Sequence, residues 1–260
     1  MAHQDTTIIR RKKISQQNHR KWIILFILIS VLLLILLFFR SSFSKVQQIH
    51  IEGNVLLSEQ QLIEAMGIQI GDSFFAIQNR TVESKIRNLT VVRDVLISKE
   101  FPGIIEVQVQ EFSVVALEWS EPKGWFGLLS NGAAIPYEQI ANISSLPILS
   151  GWQDQAMKAN LCQVLSEIPS QLLNDISEIR PIPSSSYRDR IKMYTRSKFE
   201  VISRISYLQE KIALLDDYVY ETVNEGRTSG RIVMMETNYW QPLEIPNEEV
   251  TAEKMNSSSQ

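Results

Sequence analysis

Apolar residues divide the chain into one unbroken apolar stretch and a longer region of periodic patterns. Between Trp22 and Phe39 there is no charged residue, and every position except Trp22 and Ser30 is Leu, Ile, Val or Phe. A helix of this length rises about 27 Å, close to the roughly 30 Å hydrocarbon core of a bilayer. A helix on the surface of a soluble domain keeps a polar face, which this stretch lacks. The pattern therefore predicts a helix over residues 22–39 that is embedded in membrane lipid.

Charged residues on either side of this span predict its orientation. Six basic residues and one acidic residue precede it, whereas Arg40 and Lys45 are the basic residues that follow closely. By the positive-inside rule, residues 1–21 form a cytoplasmic basic tail and the chain beyond the span lies outside the cytoplasm. A cleaved signal peptide is the alternative, because Ser42 and Ser44 are small residues at a suitable spacing. The apolar stretch is longer than the usual signal-peptide core, which favours an uncleaved signal anchor.

Residues 46–111 show the patterns of a small α/β unit. Alternating apolar and polar residues predict three strands, at residues 46–52, 91–99 and 105–109. Ser58 and Gln61 form a capping box at the start of one helix, and Asn79 is positioned to cap a second. Gly67 is suited to end the first helix, because glycine reaches the left-handed conformation at little cost. The predicted order β-α-α-β-β resembles that of a POTRA domain, a polypeptide-transport-associated module found beside membranes.

Beyond residue 112 the patterns predict a mixed sheet with helices packed on it. Asn131-Gly132 is a dipeptide typical of a hairpin turn. Strands are predicted at residues 176–179, 190–194, 199–202 and 231–237, and a helix at residues 153–168. A longer amphipathic helix that ends at Gly226 is predicted from one apolar stripe, formed by Leu208, Ile212, Leu215, Val219 and Val223. No strand is readable after residues 231–237, so we expect the edge of that strand to be uncovered.

Composition and charge exclude some classes of function. From Arg40 onward the chain carries 20 Lys and Arg against 28 Asp and Glu, which excludes a general nucleic-acid binder with a basic face. Cys162 is the only cysteine, so no intramolecular disulfide can form. Exported eukaryotic domains usually carry several disulfides, and their absence favours a bacterial cell-surface protein.

Candidate chemistry is sparse in the sequence. A Cys162–His50 pair is conceivable as a nucleophile and its base, but Cys162 lies beside the apolar stripe of a predicted helix, which is typical of a buried thiol. The pattern Ser-x-x-Lys occurs at Ser42–Lys45, next to the membrane, and at Ser120–Lys123, in a predicted turn. Two acidic pairs could hold a cation but are more typical of a solvated helix face and a flexible tail: Asp216-Asp217 and Glu248-Glu249. We predict no catalytic residue, no metal site and no cofactor.

Three motifs make the resemblance more specific. They are IHIEGN at Ile49–Asn54, FPGIIEVQVQE at Phe101–Glu111 and LPILSG at Leu146–Gly151. The motifs and the order of elements resemble the bacterial cell-division family DivIB, also called FtsQ. Phe112 departs from this family, which commonly has a basic residue at that position. The resemblance implies an α+β fold with five segments: a cytoplasmic basic tail (1–21), a transmembrane signal anchor (22–39), a POTRA domain (45–115), an extracytoplasmic β domain (116–243) and a disordered acidic tail (244–260).

The same resemblance implies a non-enzymatic scaffold of the division machinery at the septum. It would be held in membrane lipid by residues 22–39 and would bind FtsL-like and DivIC/FtsB-like coiled-coil partners outside the membrane. Through these partners it would be linked to the septal peptidoglycan synthase complex. The alternatives are a membrane-anchored cell-wall enzyme or wall-binding module with an unrecognised site, and a POTRA chaperone of an export system.

In this family the C-terminal region binds the DivIC/FtsB-like partner. A free sheet edge offers unpaired N–H and C=O groups to which another chain can add a strand. By the resemblance, the predicted partner-binding residues are Ile232, Met234, Tyr239 and Trp240. Ile232 and Met234 could equally be plain core residues, because alternation alone does not tell which face of a strand is covered.

Overall fold

The computed structural model describes residues 16–140 and 146–243. Most of the predicted cytoplasmic tail and all of the predicted acidic tail, with its pair Glu248-Glu249, lie outside the described residues. Internal contacts divide the described chain into two compact units. The first comprises residues 16–52, 59–86 and 95–109, and the second comprises residues 53–58, 87–94, 110–140 and 146–243.

The chain enters the first unit through α1, the helix Gln16–Arg40 of 25 residues. Its segment Arg20–Arg40 has a mean hydropathy of 3.3, and none of it is buried against the rest of the protein. It is the one helix among the described residues that is long and apolar enough to cross a membrane. Water solvates such a surface poorly, whereas lipid tails can surround it on every side. The predicted span, residues 22–39, lies wholly within α1.

The β-α-α-β-β order predicted after the span is observed. Its elements are β1 (Gln48–Glu52), α2 (Glu59–Met66), α3 (Asn79–Arg87), β2 (Val92–Glu100) and β3 (Ile104–Glu111). The strands form a sheet in the order β1-β3-β2, in which β1 is parallel to β3. Ile105, Val107 and Val109 of β3 are buried, as their alternation predicted. Gly67 ends α2 with a φ of +64°, the left-handed conformation expected of it.

The second unit is built on a mixed sheet of nine strands. They are β4 (Val114–Ser120), β5 (Gly124–Leu129), β6 (Ala134–Pro136), β7 (Ile148–Leu149), β8 (Ile176–Pro181), β9 (Arg190–Thr195), β10 (Phe199–Arg204), β11 (Gly230–Met234) and β12 (Asn238–Gln241). Their order in the sheet is β12-β11-β10-β9-β8-β7-β4-β5-β6. The pairs β4–β7, β7–β8 and β10–β11 are parallel, and the other pairs are antiparallel. The α+β fold class predicted from the sequence is confirmed.

Helices α4 (Gln155–Glu167), α5 (Ser170–Leu173), α6 (Ile205–Lys211) and α7 (Leu215–Asn224) complete this unit. Helix α4 begins two residues later than predicted, because the Asp154 carboxylate accepts a hydrogen bond from the Met157 N–H (3.0 Å) and caps it. Leu161, Leu165 and Ile168 are buried in a single core cluster shared by sheet and helices. The predicted inward face of this helix is therefore confirmed.

The long amphipathic helix expected before Gly226 is not continuous. A 3₁₀ turn at Ile212–Leu214 separates α6 from α7. The tighter turn changes the helical phase, so that Ile212 and Leu215 stay buried but Thr222, rather than Val223, faces inward further along. The Thr222 hydroxyl donates to the Tyr218 carbonyl (2.7 Å) and is thereby satisfied in the core. The prediction that Val223 continues the apolar stripe is wrong, since its side chain is exposed.

The end of the sheet also differs from the prediction. Strand β11 stops at Met234, the chain bends at residues 235–237, and Asn238–Gln241 returns as β12, antiparallel to β11. A strand of four residues is too short for its alternation to be read from sequence. The prediction that the strand at residues 231–237 has an uncovered edge is therefore wrong, because β12 covers it.

Candidate partner-binding edge

The outermost strands of the nine-stranded sheet are β12 and β6. One side of β12 pairs with β11, and no strand of the described residues lies against its other side. The Met235 N–H donates to the Thr237 carbonyl (3.4 Å) and closes the hairpin. Because hydrogen-bonded pairs alternate along an antiparallel ladder, the N–H and C=O groups of Asn238 and Trp240 point away from β11. These outward groups make β12 an edge to which a further strand can be added.

The four predicted partner-binding residues divide between the two faces of this hairpin. Ile232 lies opposite Trp240 and Val233 lies opposite Tyr239, so the two aromatic side chains project to opposite faces. Ile232 and Met234 are 0% and 1% exposed and belong to the core. Their side chains cannot contact a partner in this fold, which corresponds to the alternative that both are plain core residues. Tyr239 is 48% exposed.

Trp240 covers the end of the core on the helix-bearing face. Its ring packs so closely on Gly230 that any side chain at residue 230 would collide with it. The Arg227 guanidinium lies 4.5 Å from the centre of the ring, and the indole N–H donates to the Ser229 carbonyl (3.3 Å). The contacts with Gly230, Arg227 and Ser229 therefore fix the Trp240 ring. The partly buried ring forms the apolar border of the β12 edge.

The opposite face of the hairpin carries a cavity of about 320 Å³. Its lining includes Tyr187, Arg190, Arg231, Glu236 and Tyr239. The Arg190 Nε is the one buried side-chain nitrogen or oxygen of the described residues that has no hydrogen-bond partner. A buried donor without an acceptor is costly. The positive charge of Arg190 in the lining makes the cavity suited to an acidic or carbonyl group next to the open edge.

Other charges on this face are already neutralised. Glu200 on β10 accepts two hydrogen bonds from Arg231, at 3.1 and 2.9 Å, and lies 3.4 Å from the Lys192 ammonium. All three side chains are mostly buried, which strengthens their attraction relative to a pair in bulk water. Arg190 is therefore the cation of this group that keeps an unsatisfied donor.

Asp189 fixes the start of β9 to the start of α6. Its carboxylate accepts from the Arg204 Nε (2.9 Å) and from the Ser206 N–H (3.2 Å). Partial burial alone would raise the pKa of Asp189, but the hydrogen bonds from Ser206 and Arg204 outweigh it and lower the pKa below its ordinary value. Asp189 is therefore ionised and paired at neutral pH.

The groups considered for catalysis lie in unsuitable surroundings. Cys162 is fully buried, and this burial raises the pKa of its thiol to about 11. His50 is exposed on β1 and contacts the Gln48 side chain (3.2 Å). Ser120 ends β4, and Lys123 follows in an exposed turn; Asp216-Asp217 lie exposed in the first turn of α7. In the part of the chain that the structure describes, no three His, Cys, Asp or Glu side chains are grouped to hold a metal ion.

The sequence does not predict two of the residues of this edge. Asn238 contributes outward backbone groups, a property that no side-chain pattern encodes. Arg190 was placed on a strand, but the cavity that it lines forms only when β9, β10, β11 and β12 are brought together. An arginine in a predicted strand is a signal of such a role, although nothing in the sequence distinguishes Arg190 from Arg231.

Comparison with known proteins identifies both parts of the chain. The family model described as the FtsQ-type POTRA domain matches residues 44–112, and the model of the C-terminal region of cell division protein FtsQ/DivIB matches residues 117–233. Cell division protein DivIB of Paenibacillus polymyxa (strain E681) is 38% identical over 217 residues, which cover 83% of this chain and 84% of that protein. DivIB of Geobacillus kaustophilus (strain HTA426) is 28% identical, over 67% of each chain.

A solved structure is also similar in part. It is the major extracytoplasmic domain of the trans isomer of DivIB from Geobacillus stearothermophilus, 27% identical, matched over 44% of this chain and 97% of that one with a TM-score of 0.37. The family models and the Paenibacillus relative carry the assignment, because together they cover the predicted POTRA unit and most of the second unit. This chain, with its single N-terminal membrane helix, belongs to the DivIB/FtsQ family of bacterial cell-division proteins.

Proposed function

We propose that this protein is a non-enzymatic scaffold of the divisome that acts outside the cytoplasm. Its α1 helix holds it in the membrane with the N-terminus inside, as the excess of basic residues before the span favours. It binds FtsL-like and DivIC/FtsB-like coiled-coil proteins at the septum and links them to septal peptidoglycan synthesis. Its functional segments are the POTRA domain (45–115) and the β domain (116–243).

The open edge of β12 is the observation that supports this proposal most directly. An extended segment of a partner can add to it as a tenth strand and bond to the outward groups of Asn238 and Trp240. Backbone bonds of this kind give affinity, and side chains beside the strand give specificity. A coiled-coil protein with a short extended segment after its helix has the form that such an edge accepts.

The residues beside that strand have different proposed roles on the two faces of the hairpin. Tyr239 is the exposed aromatic side chain on the cavity face, and Trp240 borders the helix-bearing face. We propose both as contacts for the partner, with Arg190 receiving an acceptor group of the partner in the cavity. Ile232 and Met234 support the edge from the core and make no contact themselves.

A pair of tyrosine substitutions tests this proposal. The full chain carrying Tyr239→Ala should recover about tenfold less DivIC/FtsB-like partner from dividing cells, because truncating a central interface aromatic typically costs more than about 1 kcal/mol. Tyr220→Ala is the matched control, since Tyr220 is an exposed tyrosine on α7 away from the edge. Equal recovery with both variants would remove the β12 edge as the binding site.

Two further observations test the wider role. A fluorescent fusion of the full chain should form a midcell band in dividing cells, and uniform membrane staining through division would contradict a septal scaffold. Purified protein incubated with peptidoglycan should neither hydrolyse nor retain it. Retention or hydrolysis would favour the wall-binding or enzyme alternative instead.

A further inference from the structure

The segment that joins α1 to β1 is held by hydrogen bonds along its length. The Ser44 hydroxyl donates to the Phe39 carbonyl (2.7 Å), in the last turn of α1, and to the Ser41 carbonyl (3.0 Å). The Phe74 N–H donates to the Ser44 carbonyl (2.9 Å), and Lys45 forms a bridge with Ser73. The loop at residues 70–75 is therefore fixed directly against the end of the membrane helix.

Phenylalanine rings also connect the loop at residues 70–75 to the end of α1. The ring centre of Phe75 lies 6.0 Å from that of Phe38 and 6.1 Å from that of Phe39. Phe74 lies 5.3 Å from Phe75 and is buried, and the Lys99 ammonium lies 5.4 Å from the centre of its ring. Phe75 is thus a loop side chain at the depth of the last helical turn of the span.

That depth can be compared with the dimensions of a bilayer. Residues 22–39 span about 27 Å of a hydrocarbon core that is about 30 Å thick, so Phe38 and Phe39 lie at its boundary. The interfacial region beyond it is about 5–7 Å thick on each side. A ring within about 6 Å of both phenylalanines therefore lies in or beside the hydrocarbon.

Exposed apolar side chains of the first unit are concentrated at this level. Beyond α1 the unit exposes five large apolar side chains: Phe43, Ile70, Phe75, Leu96 and Phe101. All except Leu96 lie in segments that bond to residues 44–48. The Gly71 N–H, next to Ile70, donates to Val46 (2.8 Å), and the Gln47 N–H donates to the carbonyl of Gly103, in the turn that contains Phe101 (2.7 Å). Exposed apolar side chains collected in one set of bonded segments are typical of a surface that contacts a partner or lipid.

We propose that Phe43, Ile70, Phe75 and Phe101 form a lipid-contacting surface that inserts into the leaflet where α1 ends. The occupant is the bilayer that α1 already spans, because Phe75 of this surface packs against Phe38 and Phe39 at the apolar end of that helix. Insertion holds the first unit at a fixed height against the membrane. The proposal concerns lipid alone and does not depend on which divisome partners the protein binds.

Charges around the surface do not select an anionic lipid. Arg40 and Lys45 lie at the helix end and Lys99 lies over the Phe74 ring, but Asp72 and Glu100 lie in the same bonded segments. Apolar insertion therefore carries the contact, and its depth should be the same in neutral and in anionic membranes.

Depth measurements on the full chain in vesicles test this proposal. Single cysteines are placed at Phe75 and at Leu96 in a Cys162→Ala background and labelled with a fluorophore. Leu96 is the matched control, because it is an exposed apolar side chain of the same unit in the middle of β2. Lipids that carry a quencher near the headgroup should quench the label at Phe75 at least threefold more strongly than the label at Leu96. This result is expected in phosphatidylcholine vesicles and in vesicles that also contain phosphatidylglycerol.

A second measurement separates the protein's own insertion from that of the label. The label is placed at Gln69, an exposed polar neighbour of Ile70, with and without Ile70→Ser and Phe75→Ser. Both replaced side chains are exposed, so the fold should tolerate the change. Quenching at Gln69 should fall by at least half in the double variant. Equal quenching at Phe75 and Leu96, an unchanged signal at Gln69, or quenching that appears only with a second membrane protein present would each overturn the proposal.

Discussion

The two edge strands of the nine-stranded sheet differ in the backbone groups that they offer to a further strand. At β6 the Leu129 N–H donates to the Ala133 carbonyl (2.8 Å), which places Ala134 and Pro136 at the outward positions of that ladder. Pro136 has no N–H to offer a further strand. At β12 the outward positions are Asn238 and Trp240, and both retain an N–H.

The chain beyond each strand adds to this contrast. After Pro136 the backbone turns into a 3₁₀ helix, and the Ile140 side chain folds over Gly127 so closely that a methyl group there would collide with it. Next to β12 the surface instead carries an exposed tyrosine and a cavity with an unsatisfied arginine. The β6 end is protected against strand addition by known devices, and among residues 16–140 and 146–243 no such device covers the β12 end. The difference means that strand addition, as proposed above, is possible at the β12 end and is hindered at the β6 end.

Blocking the open edge of β12 should have the largest effect on partner binding. In Asn238→Pro the outward N–H is lost and the ring obstructs an approaching strand, whereas the bonds from β12 to β11 are retained. Loss of two or three backbone hydrogen bonds costs about 3 kcal/mol, which is about a hundredfold in affinity. Binding of the full chain in detergent to the DivIC/FtsB-like partner measures this change. Asn238→Ala is the matched control, because it loses the same side-chain contact with Lys211 (3.3 Å) but keeps the N–H. Equal binding by the two variants would count against strand addition.

Asp189, in the half of the sheet that carries the open edge, should make a contribution to stability that depends on pH. The lowered pKa of Asp189 means that its contribution to stability is complete above its ordinary pKa of 3.8 and is lost as the pH falls through the lowered value. Asp189→Asn should reduce the free energy of unfolding at pH 7 by about 2 kcal/mol, because two hydrogen bonds to a charged group are weakened. Urea unfolding at pH 7 and pH 2 measures this, and the difference between the wild type and the variant should shrink at pH 2. Asp216→Asn, on the exposed face of α7, should leave both values unchanged.

Removing the positive charge of Arg190 beside the open edge should have a smaller effect on partner binding. Arg190→Gln keeps much of the side chain but removes the cation that lines the cavity, so an acidic group of the partner loses its counter-charge. We expect a loss of about 1 kcal/mol, which is about fivefold in affinity, together with a weaker dependence of binding on salt. Lys198→Gln, an exposed residue of the β9–β10 turn, is the matched control. If salt dependence were the same in both variants, Arg190 would have no electrostatic role in binding.

Much of the framework behind this contrast could be predicted from the sequence. Alternation located Ile105, Val107 and Val109, and the left-handed glycines Gly67 and Gly132 marked a helix end and a hairpin. These signals are local, since each depends on residues close together in the chain. A series of such short-range signals in the right order was enough to predict the α+β fold class.

The edge itself could not be predicted, because it depends on long-range pairing. Strand β12 has four residues, too few to show a period, and its role as the outermost strand follows from its pairing with β11. The cavity at Arg190 combines side chains from residues 187 to 241. The change in helical phase between α6 and α7 could not be predicted for a related reason. A single 3₁₀ turn hardly alters the spacing of the apolar residues along the chain.

Restoring a donor at the β6 end of the sheet should have the smallest effect of all on stability and on partner binding. Pro136→Ala restores one outward N–H to β6, but the 3₁₀ helix at Tyr137–Gln139 still ends the strand and Ile140 still covers Gly127. We therefore expect the free energy of unfolding to change by no more than about 0.5 kcal/mol and partner binding to stay unchanged. The same binding and unfolding measurements apply, with wild type and Asn238→Pro as references. Appearance of a second binding site in Pro136→Ala would mean that a single missing N–H, rather than the following turn, had kept this end closed. The contrast between the two edges would then rest on backbone donors alone.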